Sequence, residues 1–127
     1  MRFIPSIIVS AVLSAHTDAV ALSQLMWHES ADIPSDIEKV AVAWCVFNRV
    51  DDPRFPDDVI TVLEQPGQFD GGYDPEYPVE PDLYSIAFEA VILWKAEKTG
   101  VDVSRPIPEG FVFYCGDGRH NYFRKEA

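Results

Sequence analysis

Hydrophobic positions recur along this chain mostly at helical intervals. Ala19, Leu22, Leu25 and Met26 form one stripe, and Glu29 continues it, four residues after Leu25 and seven after Leu22. Thr17 or Asp18 is expected to cap this helix, and Ser30 to end it, because Asp32, Pro34 and Ser35 are turn and capping residues. A second helix is expected over 36–50. Ser35 and Glu38 stand at capping-box spacing, and VAVAWCVF, 40–47, is apolar without a break. A helix apolar on all sides is a buried one. Asn48 and Arg49 close it, with Arg49 favourable at the negative end of the helix dipole. A shorter helix is expected over 57–64, with two aspartates in its first turn. The last long helix is expected over 82–99, with Leu83, Ile86, Ala87, Ala90, Val91 and Trp94 on its stripe. Asp82 would cap that helix and Gly100 would stop it. Residues 111–115 and 119–123 read as extended pieces around a Gly116-Asp117-Gly118 turn. The pattern as a whole predicts an α+β domain, mainly α, with a central buried helix and a small β segment.

Two stretches do not fit a helix. QPGQFDGGYDPEYPVEP, 65–81, is rich in proline and glycine yet holds Phe69, Tyr73 and Tyr77. A long irregular segment in a compact domain is usually functional or disordered. Disordered segments are poor in aromatics, so an ordered substrate loop is expected here. A short hairpin at Gly71–Gly72 would suit the two glycines. Near the N-terminus, FIPSIIVSAVLSA admits two readings: a secretory signal cut near Ala15, or an uncleaved first helix packed on a domain spanning 16–127. That apolar run is short for a bilayer, so no stable membrane span is expected.

At 127 residues and 47 % hydrophobic content, the chain suits one globular domain that acts as a monomer. A net charge of −11 argues against nucleic acid as a partner and offers no attraction to anionic lipid. Its plain consequence is solubility. Cys45 and Cys115 read as buried small hydrophobes, and two cysteines alone do not establish a disulfide. His28 and Glu29 begin no HExxH motif, since position 32 is Asp, so neither a metal nor another cofactor is expected.

Glu29 is the residue on which chemistry would rest. A carboxylate at the end of an apolar stripe loses solvation, which raises its pKa. A carboxyl group kept neutral near pH 7 is what a general acid requires. The alternative is an exposed helix-end carboxylate. Glycoside cleavage commonly uses two carboxylates. The nearest others, Asp32 and Asp70, read as turn residues.

The succession WHESAD, KVAVAWCVFNRV, PRFP, QPGQF and GDGRHNYF resembles the spore cortex-lytic (SleB-type) cell wall hydrolases, including phage members, over roughly residues 18 to 123. The resemblance implies a lysozyme-like domain that cleaves the glycan strands of peptidoglycan with one key glutamate, which maps onto Glu29. The family usually reads Gly-Glu-Ala-Arg-Gly-Glu here. This chain has His28, Glu29, Ser30, Ala31, Asp32 and Ile33, keeping the first Glu but not the Arg or the second Glu. Gln68 and Phe69 match QPGQF, where an amide can read N-acetyl groups and a ring can stack on sugar. Tyr73, after two glycines, is a further sugar-facing candidate. His120, Asn121 and Tyr122 match the last motif, with His120 and Tyr122 expected at the cleft. A lytic transglycosylase needs only one glutamate, and hydrolysis by water is the competing outcome. A glycan-binding or virion/envelope structural module is the non-enzymatic alternative. The implied location is the cell envelope or beyond it if the leader is real, or phage-encoded release at lysis if it is not.

Overall fold

The described residues form four helices and a pair of short strands: α1 (Ser6–Glu29), α2 (Asp36–Val50), α3 (Val59–Leu63), α4 (Pro81–Lys98), β1 (Phe113–Gly116) and β2 (Asn121–Arg124). The structure is a computed structural model that describes residues 6–29, 35–65, 73–116 and 121–125, without the side chains at 7, 29, 114, 115 and 121. The architecture is α+β and mainly α. The strands pair antiparallel, Phe113 opposite Arg124 and Cys115 opposite Tyr122.

α1 is one continuous helix, about 36 Å long. The expected break at Thr17 or Asp18 does not occur. No proline or glycine stands between Ser6 and Glu29, and Thr17 Oγ1 donates back to the Leu13 carbonyl at 2.9 Å, within the helix. Asp18 is therefore an interior helical residue, and it is buried. The two ends of α1 differ in environment. Ile8, Val9, Val12 and Leu13 are exposed, while Ala19 and Ala21 to Met26 are buried. Fusing the two apolar halves makes Ile8–His28 long and apolar enough to cross a membrane by length and composition, although 44 % of its apolar window is buried within the domain.

α2 is the centre of the core. Ser35 caps it, accepting from the Glu38 amide at 3.3 Å, as the capping-box spacing requires. Residues Ala41 to Arg49 are all buried. Phe47 stacks flat on Trp94 of α4, with ring centroids 4.4 Å apart, and meets Trp44 edge-on at 5.4 Å. Aromatic pairs prefer offset and edge geometries because the ring face is negative and its rim positive. Trp94 Nε1 donates to Asp51 Oδ2 at 2.9 Å, and Lys98 Nζ pairs with Asp51 Oδ1 at 2.9 Å.

Arg49 stands in the last turn of α2, as expected. Arg49 is 3 % exposed and does not lie in solvent at the helix terminus. Its Nε donates to the Val112 carbonyl at 2.7 Å, and its guanidinium lies 4.9 Å from the Phe55 ring and 5.1 Å from the Phe113 ring. Asn48 Nδ2 donates to the carbonyls of Pro108 and Phe111, while its Oδ1 accepts from Arg105, which also grips Glu97 through two nitrogens. These polar side chains fasten the irregular segment before β1 to the helical core, satisfying carbonyls that no regular element serves.

α3 is shorter than expected because Asp58 is its cap, accepting from the Thr61 amide at 3.0 Å. For α4 the cap is Glu80 rather than Asp82. Pro81 takes the first helical position, where its missing N–H costs nothing, and Glu80 accepts from the Leu83 amide at 2.9 Å.

Candidate active site

Glu29 is the last residue of α1, and its side chain lies outside the described residues. The residues that precede it define the surroundings. Gln24 is buried, and both hydrogens of its amide are used: Nε2 donates to the Pro75 carbonyl at 2.8 Å and to the Tyr77 carbonyl at 3.0 Å. This clamp straps the segment 73–80 across the end of α1. Tyr77 then packs against two rings of α1. It stacks parallel to His28 at 5.4 Å and tilts against Trp27 at 5.0 Å. The strap has its own local order. The Glu76 amide donates to Asp74 Oδ1 at 2.8 Å, and the Tyr77 amide donates to the Asp74 carbonyl at 3.0 Å.

A cleft of about 570 Å³ opens between the first turns of α2 and α4, lined by Asp36, Lys39, Glu80, Leu83 and Ile86 among others. Its volume lies within the range of small-molecule sites. A second cleft, about 440 Å³, lies by the far end of α2 among Asn48, Asp51, Asp52, Glu97, Lys98 and Arg105. Its charges are already paired internally, as Arg105–Glu97, Lys98–Asp51 and Arg54–Asp52.

The other sequence-derived candidates divide. Tyr73 is half-buried and packs on the core. Burial first, then the carboxylates of Glu64 and Asp74, hold its phenol above the usual range. Tyr122 is 54 % exposed on β2. Gln68, Phe69 and His120 lie outside the described residues, as do the Gly71–Gly72 hairpin and the side chain of Cys115. Among the described residues, no group of three or more His, Cys, Asp or Glu could hold a metal ion. Cys45 is a free, buried thiol, pushed up to about 12 by desolvation against the opposing pull of Arg49.

Two features were not legible in the sequence. One is the Trp27–Tyr77–His28 ring cluster, which joins residues some fifty positions apart. The nearest signal was an aromatic two positions before Glu29. The other is Asp18, a carboxyl pushed up to about 6. Desolvation is the main cause, Lys95 opposes it and Asp58 reinforces it. Its place on the apolar side of a helix follows only from α1 being unbroken.

The described residues form a mainly helical domain with an aromatic strap at the end of α1 and a cleft between the first turns of α2 and α4. Residues 35–123 match the family described as Cell Wall Hydrolase, and the chain belongs to that family. It is a cell wall hydrolase, and its substrate class is peptidoglycan. The match begins at the cap of α2, so α1 and Glu29 precede it. No curated protein and no solved structure matches the chain.

Proposed function

We propose that this protein cleaves the glycan strands of peptidoglycan, with Glu29 as the group that moves the proton. The observation that carries this reading is the position of Glu29. It ends α1, which packs against α4 of the cell wall hydrolase segment, and it directly follows Trp27 and His28, the residues that meet Tyr77 of the strap.

In its acid form Glu29 donates a proton to the glycosidic oxygen as the bond from that oxygen to the anomeric carbon breaks. The carboxylate so formed takes the proton of the same sugar's 6-hydroxyl, and that oxygen closes on the anomeric carbon. The products are a shortened strand and a 1,6-anhydro end. The glutamic acid is regenerated and no water is consumed. This single-carboxylate route suits a chain without a second glutamate at the motif. Attack by water in place of the 6-hydroxyl is the hydrolytic outcome. Gln68, Phe69, Tyr73, His120 and Tyr122 are assigned to holding the strand, by amide contacts to N-acetyl groups and by ring contacts to sugar faces. A domain of lysozyme-like architecture, acting as a monomer at the cell envelope, is part of the same reading.

The test is Glu29→Gln. The variant should keep the wild-type melting temperature and lose roughly 10²-fold or more of its clearing of purified cell walls. Equal clearing by the two proteins would remove the proposal. Mass spectrometry of the fragments then separates anhydro-muramyl ends from reducing ends. The family match starting beyond Glu29 favours one second reading, a glycan-binding module without turnover. Retention on cell walls with no released fragment would establish it.

A further inference from the structure

The three tryptophans of this chain are not placed alike. Trp44 and Trp94 are 0 % and 5 % exposed, deep in the core, whereas Trp27 is 38 % exposed. It follows the fully buried Leu25 and Met26 on the same helix and immediately precedes His28 and Glu29. Leaving a large indole in water forgoes burial energy. Trp27 is nonetheless held in a defined orientation. Tyr77 braces it at 5.0 Å, His28 backs Tyr77 at 5.4 Å, and Gln24 fixes the backbone of Tyr77 from beneath. Exposed apolar side chains also mark the neighbouring segments: Val79, two residues past Tyr77, is 44 % exposed, and Ile37, in the first turn of α2, is 71 % exposed.

We infer that Trp27 is a sugar-stacking platform, braced by Tyr77 and His28, that receives a pyranose ring of an N-acetylhexosamine strand. The choice of sugar rests on the glycan-cleaving function proposed above. A pyranose presents faces of axial C–H bonds, apolar and slightly positive, which complement the negative face of an indole. An exposed ring already immobilised by its neighbours loses little rotamer freedom when a ligand arrives, so more of the contact energy appears as affinity.

The test uses the full chain with Glu29→Gln, so that bound sugar is not turned over, and the N-acetylglucosamine tetramer as probe. With Trp44 and Trp94 buried, a change in tryptophan emission on titration reports Trp27. A saturable emission shift is expected, and calorimetry should show Trp27→Leu weakening binding roughly tenfold or more. Trp27→Phe, which keeps a ring face, should lose no more than about threefold, and comparison of its melting temperature with that of Trp27→Leu guards against misfolding. No binding by the parent, binding without an emission shift, or equal affinity in Trp27→Leu would each overturn the platform. Cell-wall digestion by the protein with native Glu29 is scored separately. Loss of digestion alone sinks the enzyme reading, and loss of stacking alone sinks this one.

Discussion

Replacing Asp18 with Asn should stabilise the protein near neutral pH and leave it almost unchanged near pH 4. Asp18 is 8 % exposed within α1, and no hydrogen bond to its carboxylate exists among the described residues. Its pKa rises from 3.8 to about 6 because burial penalises the charge more than Lys95 rewards it, and Asp58 adds repulsion. The native state therefore holds the proton more tightly than the unfolded chain. Below about pH 4 both states are protonated and the carboxyl costs nothing. Between about pH 4 and pH 6 the native state pays progressively for ionisation, and stability falls as pH rises. By about pH 7 the cost is nearly complete. A rise of about two units corresponds to a ceiling of about 3 kcal/mol, and water at the exposed edge of the carboxylate reduces this to about 1–2 kcal/mol. The asparagine amide matches the carboxyl in shape and carries no charge at any of these pH values. Urea or thermal unfolding followed by circular dichroism at pH 4, 5, 6 and 7 gives the stability difference between the two proteins. That difference should grow steadily with pH in favour of the Asp18→Asn variant, reaching roughly 3–8 °C in melting temperature at pH 7. Fixed costs of the amide cancel between pH values. A difference that stays flat from pH 4 to 7 would refute the argument.

Three further outcomes follow from the packing. Arg105→Met should destabilise the fold by about 2–3 kcal/mol in urea unfolding, because it leaves Glu97 and Asn48 Oδ1 without their partner in a largely buried network; a loss below about 0.5 kcal/mol would show the network to be idle. Glu80→Ala should cost about 1 kcal/mol by removing the α4 cap, while Asp82→Ala should cost less than half of that, and the reverse ranking in thermal melts would return the cap to Asp82. Cys45, buried and with its thiol pushed up to about 12, should resist iodoacetamide at pH 8 in the native protein and react once unfolded. Peptide mass mapping reads the label, and rapid native labelling would contradict the burial.

What the sequence determined by itself was local and periodic. The unbroken apolar run of α2 could only be a buried helix, and Ser35 with Glu38 marked its start, because capping and periodicity depend on residues within one or two turns. The order of motifs likewise carried the cell wall hydrolase family, matched over 35–123. Tertiary structure decided whatever depended on distant partners. Nothing near Arg49 or Asn48 in the chain announces that their polar groups serve carbonyls some sixty residues on. Asp18 looked like a cap because a capping aspartate and a buried helical aspartate have the same local sequence, and only the packing of α4 and α3 around it separates them. The ring cluster at the end of α1 exists because Gln24 reaches across to a loop fifty residues away. Hydrogen bonds and ring contacts between remote segments depend on the packed arrangement of the helices, which spacing along the chain does not encode.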